Sequence, residues 1–360
     1  MPRTGVVRSI CRADRQSGGL SLRHLSFRSP GTFASAKCFP TGTAGTNRGF
    51  TLLELLVSMA LVAIVAGLSF SIMTAITSAW KAHKARIGAF GDARVVFESL
   101  TNRLSQATLN TYWDYDNRGA PTRYLRKSEL HFIQGRASSL ISTIPDVVGN
   151  SVFFCAPLGI NENEAYRPLF KMLSACGFYV RFGKDENRPP FVDGRIANRY
   201  RFRLCQFLEP GERLRVYEAG LQGNWYSTDL TDWSFPMAEN IIGLILRVRY
   251  PDGSGNAETY DYDSRAGIGS NSPPVTMHQL PPVISVTLVA IDEDSARRLA
   301  EKYGDTMPPI LPAADAFISA DRYEDDLSNW EEALKKFPLK IDYRILTADV
   351  YLRGAKWSSQ

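Results

Sequence analysis

The chain has 360 residues, of which 44% are hydrophobic and 22% are charged. This composition is that of a globular protein, and it excludes wholesale disorder, a collagen-like chain and a multi-span membrane protein. The formal net charge of +5 would favour a nucleic-acid partner if it belonged to the folded part of the chain.

The positive charge is concentrated in residues 1–49. This segment has eight basic side chains and one acidic one, Asp14, which leaves 34 basic and 36 acidic groups for residues 50–360. Its abundant Arg, Ser, Thr and Gly residues show little apolar periodicity, which is typical of a targeting or processing segment. We predict that residues 1–49 form a basic leader. The nearly neutral remainder favours no nucleic-acid partner.

A long apolar run follows the leader. From Phe50 to Met73 the only charged residue is Glu54, and the run is long enough for one helix to cross a bilayer core of about 30 Å. A secretory signal peptide fits less well, because its apolar region has only about 7 to 15 residues. We therefore predict a single transmembrane helix over residues 50–76.

Glu54 is an unusual residue for a simple membrane anchor. An ionisable side chain at the bilayer centre costs about 2.5 to 3.5 kcal/mol, and less towards the ends of the span, so it normally has a partner. No basic residue lies at helical spacing from it within the run, and the next one in the chain is Lys81. We expect its partner to be a group outside the run or a free amino terminus created near it.

The string RGFTLLE at residues 48–54, followed by an apolar helix, resembles the processing site of type IV prepilins and of the pseudopilins of type II secretion. The resemblance implies that a prepilin peptidase cleaves between Gly49 and Phe50 and methylates the new amino terminus. It also implies that Glu54, at the fifth mature position, pairs with the amino terminus of a neighbouring subunit in a filament. A leader of 49 residues is longer than is usual in that family.

Beyond the membrane, residues 77–110 are predicted to continue the helix. Phe90, Leu100 and Leu104 belong to an apolar series with spacings of three and four residues, which is typical of an amphipathic helix. Acidic residues before Ser295–Tyr303 and within Asp325–Phe337 predict two later helices.

Residues 111–360 contain short runs rich in β-branched and aromatic residues, separated by Pro, Gly, Asn and Asp. The alternation of arginines with apolar residues in 200–208 predicts a strand with one solvated face. The predicted strands are 129–133, 152–155, 177–182, 200–208, 241–250, 283–291 and 344–352.

These elements predict an α+β fold in which one long N-terminal helix packs on antiparallel sheet, as in pilins. We predict that residues 111–360 form a β-rich domain with a helical insertion at about 292–340, and the resemblance to prepilins implies that this domain is extracytoplasmic. The order of its apolar segments resembles that of a J-type minor pseudopilin, a looser resemblance than that of the N-terminal motif.

We predict no catalytic site and no cofactor. Only His131 and His278 lie in the domain, and no Ser nucleophile elbow is present. Three aspartates, Asp252, Asp261 and Asp263, could offer oxygen ligands to calcium, but their spacing does not match an EF-hand loop, so a solvated turn is favoured.

The cysteines and aromatic residues of the domain also invite two interpretations each. Cys155, Cys176 and Cys205 have no zinc-ligand spacing. Burial as small apolar residues is favoured, and a disulfide between two of them is the alternative.

The aromatic residues of the TYWDYD segment, residues 111–116, alternate with acidic rather than basic residues. We therefore expect them to pack where the long helix meets the sheet and not to bind nucleic acid.

The sequence therefore predicts a minor pseudopilin. It is anchored in the inner membrane by one span, and its partners are the prepilin peptidase, other pilin-like subunits and lipid. The alternative is an extracytoplasmic enzyme or binding module held by an uncleaved signal anchor.

Overall fold

The computed structural model describes residues 51–185, 198–218, 224–227, 230–252, 255–268, 270 and 273–358. The chain divides into two compact units, residues 1–66 and residues 67–360. In the first unit, the described part is residue 51 and the beginning of helix α1. The second unit contains the rest of α1 and all the other helices and strands of the described part.

The helices agree with those predicted. Helix α1 is continuous and ends about five residues earlier than predicted, and the helical insertion near the carboxyl end is present. Asp292 caps α3, because its carboxylate accepts a hydrogen bond of 2.9 Å from the Ser295 N–H. The helices are α1 (Leu52–Ser105), the single turn α2 (Ala137–Leu140), α3 (Glu293–Tyr303) and α4 (Tyr323–Lys336).

The strands outnumber those predicted, because short strands lie among the longer apolar runs. They are β1 (Tyr112–Tyr115), β2 (Tyr124–Lys127), β3 (Ile133–Arg136), β4 (Val147–Ala156), β5 (Ser174–Lys184), β6 (Tyr200–Glu209), β7 (Ser234–Glu239), β8 (Ile241–Pro251), β9 (Asn256–Thr259), β10 (Tyr262–Asp263), β11 (Val283–Ile291) and β12 (Tyr343–Tyr351).

All described strand pairs are antiparallel, as predicted, and they form two sheets and a ribbon. The larger sheet has six strands in the order β10-β3-β4-β5-β6-β7, and the smaller has four in the order β12-β11-β8-β9. Strands β1 and β2 pair only with each other. The α+β, pilin-like fold class predicted from the sequence is confirmed.

The six-stranded sheet is buried on both faces, and alternate residues of its strands belong to different cores. In β5, Phe178 and Val180 belong to the core that also contains Leu100 and Leu104 of α1 and the buried face of the four-stranded sheet. The neighbouring residue Tyr179 belongs to a second core. That core is closed by residues between β6 and β7, namely Val216, Trp225, Tyr226 and Leu230.

Two side chains of the six-stranded sheet join it to the part of β8 that lies before its pairing with β9 begins at Val248. Asn150 Oδ1 accepts a hydrogen bond of 3.2 Å from the Leu246 N–H, and Gln134 Nε2 donates one of 3.0 Å to the Leu246 carbonyl. Gly149, whose φ is +69°, makes this approach possible because a Cβ there would lie 2.6 Å from the Leu244 carbonyl oxygen.

The carboxyl end of α1 is hydrogen-bonded to both sheets. The Thr108 N–H donates to the Cys155 carbonyl in β4 at 2.9 Å, and the Arg353 N–H, just after β12, donates to the Ser105 carbonyl at 3.0 Å. The second bond satisfies a carbonyl that the carboxyl end of a helix leaves without a partner inside the helix, and the first ties the chain just after α1 to β4.

The prediction that one face of the strand at 200–208 is exposed to solvent was wrong. Arg201 and Arg203 of β6 are buried, with 4% and 3% of their area exposed, although alternation predicted a solvated face. Arg201 donates to the Glu293 carboxylate at 2.8 Å, and Arg203 donates to the Gly183 and Lys184 carbonyls, both at 2.8 Å. These acceptors replace part of the water that the two guanidinium groups lose on burial.

The expected packing of the TYWDYD segment was also wrong. Trp113 and Tyr115 are about half exposed, because the segment forms a ribbon with β2 and not a layer beneath α1. Tyr115 stacks on the exposed ring of Tyr124 with ring centroids 5.2 Å apart.

The core beneath α1 should be sensitive to loss of volume. Leu104 is fully buried, so Leu104→Ala should lower the free energy of unfolding by about 2 to 5 kcal/mol. Urea unfolding of the detergent-solubilised chain, followed by tryptophan fluorescence, measures the change. The matched control is Val95→Ala on the exposed side of the same helix, which should change it by less than about 0.5 kcal/mol. Equal effects of the two substitutions would contradict the assigned packing of α1.

Candidate functional site

The first turn of α1 begins with a polar cap beside Glu54. The Glu54 N–H donates a hydrogen bond of 3.3 Å to Thr51 Oγ1. A threonine just before the helix, followed by a glutamate three residues later, is the spacing of a capping box. A carboxylate in the first turn also interacts favourably with the positive end of the helix dipole. This Thr-x-x-Glu spacing is a signal that the sequence analysis missed, and of Glu54 only the backbone N–H takes part in the observed cap.

The span from Leu52 to Trp80 is apolar enough to cross a membrane. It has 29 residues and contains an 18-residue window with a mean hydropathy of 2.5, and none of that window is buried within the protein. Among the described residues, no ion pair or hydrogen bond reaches the Glu54 carboxylate. The helix therefore presents an uncovered apolar surface that carries one carboxylate near its start.

The predicted cleavage site, Gly49 and Phe50, lies outside the described residues. The structure places its nearest described neighbours, Thr51 and Glu54, at the beginning of the helix. A bond cleaved between Gly49 and Phe50 would thus lie just before a capped helix.

The only group in the described domain that resembles part of a catalytic centre surrounds His131. Its Nε2 lies 2.7 Å from Asp263 Oδ1, and the indole Nε1–H of Trp225 donates to its Nδ1 at 3.1 Å. Burial lowers the pKa of His131, although the hydrogen bond with Asp263 opposes that effect. Because both ring nitrogens are engaged, His131 has no free nitrogen with which to serve as a base, and it holds Trp225 against the sheet.

The three aspartates considered for calcium have separate roles. Asp263 contacts His131 and also accepts from the Arg265 N–H at 2.7 Å, while Asp252 Oδ1 accepts from the Gly255 N–H at 2.9 Å within a turn. Asp261 is brought into no shared site with them. In the part of the chain that the structure describes, no group of three or more His, Cys, Asp or Glu side chains could hold a metal ion, so the calcium hypothesis gains no support.

The three cysteines of the domain are buried and form no disulfide. Cys155 and Cys205 lie in the second core, on the opposite face of the sheet from Cys176. Burial raises the pKa of Cys155 to about 12 and that of Cys176 to about 11, which suppresses the reactive thiolate. The favoured prediction, that they serve as small apolar residues, is confirmed, and no disulfide joins them.

Comparison with protein families matches residues 45–70 to the prokaryotic N-terminal methylation motif. No curated protein and no solved structure matches the chain significantly. The matched residues contain Gly49, Phe50, Thr51 and Glu54, and they extend into the apolar part of α1. The chain thus carries a prepilin-type methylation motif at the beginning of a helix suited to anchor it in the inner membrane by a single pass, which favours a pilin-like structural subunit over an enzyme.

Proposed function

We propose that the chain is the precursor of a minor pseudopilin of a type II secretion or type IV pilus-like machine. Prepilin peptidase removes residues 1–49 and methylates the amino group of Phe50. The single observation that carries the proposal is the match of residues 45–70 to the methylation motif. The capped, uncovered apolar helix immediately after the cleavage site supports it.

In this proposal the function is assembly and not catalysis. Lipid covers the apolar surface of α1 before assembly, and the helices of neighbouring pilin-like subunits replace it afterwards. Glu54 then pairs with the methylated amino terminus of a neighbour, which sets the register of the helices. The domain that follows the span lies on the extracytoplasmic side and is bulky for a repeating major subunit, which favours a minor role with J-type pseudopilins as its nearest counterparts.

Mass spectrometry of the amino terminus of the membrane-extracted chain tests the proposal. The expected peptide begins with N-methyl-phenylalanine at Phe50, because cleavage after Gly49 and methylation are coupled in prepilins. A strain without prepilin peptidase is the control and should yield the peptide of the leader, residues 1–49. An intact leader in the strain with the peptidase would instead support the rival function, a tethered enzyme or binding module with an uncleaved anchor.

A further inference from the structure

A cavity of about 370 Å³ lies between the β1–β2 ribbon and the chain around His278. Its walls are mostly apolar and include Leu125 and Met277, with Tyr112 and Glu129 at its edge. Pockets that bind small organic molecules start at about 300 Å³ and combine such walls with a few polar groups. The cavity is therefore large enough for one compact apolar group.

His278 is a polar residue of the cavity wall, and one nitrogen of its ring lacks a hydrogen-bond partner among the described residues. It is 6% exposed, and among the described residues its Nδ1 has no hydrogen-bond partner. Its backbone is held on both sides: the N–H donates to the Ser264 carbonyl at 2.7 Å, and its carbonyl accepts from Thr111 Oγ1 at 3.1 Å. Buried polar atoms in folded proteins are usually hydrogen-bonded, and a molecule bound in the cavity would give this ring a partner.

The charges around the cavity favour an anion. Three cationic side chains line it, Arg123, Arg126 and Lys127, against the single carboxylate of Glu129. Lys127 is already paired with Asp114 at 2.7 Å, and the Glu129 carboxylate accepts a hydrogen bond from Asn110. Arg126 donates to the neutral Ser358 Oγ at 2.7 Å. The three cations, counted against Glu129 and Asp114, give these side chains a formal charge of +1.

Burial, together with the nearby Arg265 and Arg126, lowers the pKa of His278 to about 4. Its ring is therefore neutral at pH 7, and one ring nitrogen carries a proton that it can donate. A hydrogen bond from a neutral donor to a charged acceptor is stronger than one between two neutral groups. A singly charged carboxylate also costs less to bury in an apolar cavity than a phosphate dianion.

We propose that this cavity binds a carboxylate attached to a compact apolar group, with a ring nitrogen of His278 as the hydrogen-bond donor. A small organic acid has this chemistry, and so does the carboxyl terminus of a polypeptide that ends in an apolar residue. The site is formed entirely by residues of the domain, so it does not depend on processing at Gly49.

Calorimetric titration of the full chain in an uncharged detergent tests the proposal. The probes are 3-phenylpropionate and the tripeptide Gly-Gly-Phe, each compared with its amide. The acids should bind, and the amides should bind roughly tenfold or more weakly, because they lack the charge. Tighter binding of the peptide acid would identify a polypeptide terminus as the source, and tighter binding of 3-phenylpropionate would identify a small acid.

Two substitutions should remove the site in different ways. His278→Asn keeps a residue that tolerates the observed φ of +55° and should weaken acid binding roughly tenfold or more. Leu125→Trp should block binding by filling the cavity while the imidazole is kept. The matched control is Tyr124→Ser, an exposed residue adjacent to Leu125 on the ribbon that does not line the cavity and should leave binding unchanged.

Nuclear magnetic resonance of histidine labelled with nitrogen-15 gives a second measurement that does not require a variant to fold like the parent. The ring nitrogen signals of His278 should shift when the acid is added, while those of His131, whose nitrogens are already engaged, should not. The proposal is overturned if neither acid binds, if acids and amides bind equally, or if binding leaves the His278 signals unchanged.

Discussion

Replacing Gly49 with valine is expected to leave the chain in the membrane with its leader attached. A subsite that accepts glycine beside the cleaved bond has no room for a branched side chain, and steric rejection of this kind lowers kcat/KM by roughly tenfold or more. On a gel, the precursor should accumulate and the shorter mature form should be nearly absent. Mass spectrometry should find residues 1–49 still joined to Phe50.

The matched control is Gly67→Val in the same apolar helix. A Cβ at Gly67 meets no atom within 4 Å, so this substitution adds the same side chain without a steric conflict in the chain. Its product should be trimmed normally. Normal trimming of the Gly49 variant would refute cleavage at that bond, whereas failure of both variants would point to a general defect in membrane insertion.

Substitutions at Glu54 should separate helix capping from assembly. Glu54→Gln keeps a residue that can complete the capping box with Thr51 but removes the charge, and Glu54→Leu removes both. Breaking a charge pair in low-polarity surroundings costs about 3 to 5 kcal/mol. Both variants should insert and be processed, because neither adds a charge to the apolar span. Because the charge pair is lost, co-purification of other prepilin-type subunits from cross-linked membranes should fall roughly tenfold or more.

The control for these variants is Glu98→Gln, on the same helix beyond the membrane span. Glu98 is exposed and pairs with Arg94 at 3.0 Å, and exposed pairs of this kind contribute little. Assembly should be unchanged in this control. If Glu54→Gln assembled normally and only Glu54→Leu failed, the glutamate would act as a helix cap and the proposed pairing between subunits would be wrong.

The long elements of the fold could be predicted because their local patterns are strong. Helices α1, α3 and α4 have apolar periodicity or acidic first turns, and β5, β8 and β11 are nearly continuous runs of β-branched and aromatic residues. Strand β7 was missed because Pro236 argues against a strand. Proline is tolerated there because β7 pairs only with β6, at an edge of the sheet.

Burial was harder to predict than secondary structure. The strand predicted at 129–133 overlaps β3 only at Ile133, because Phe132 bonds to Ser264 outside the ladder. The buried arginines of β6 could not be anticipated, since Glu293 is distant in sequence and its position depends on the assembled fold.

The two candidate sites also differ in how much of each is contiguous in the sequence. The methylation motif is contiguous, so the residues from Arg48 to Glu54 and the apolar run after them were enough to identify it. The cavity at His278 combines the ribbon after α1 with a loop about 150 residues later in the chain. What distinguishes His278 from an ordinary buried histidine is that its Nδ1 has no hydrogen-bond partner among the described residues, and this can be seen only in the folded chain.

The hydrogen bonds that hold the end of α1 have a mechanical consequence. Because Thr108 is bound to Cys155 and Ser105 to Arg353, a tensile load applied along the helix would reach the six-stranded and the four-stranded sheet in parallel. Asn150 and Gln134 hold the sheets together and would resist sliding of one against the other. Such a load would thus be divided between β4, an inner strand of the larger sheet, and the chain just after β12, an edge strand of the smaller one.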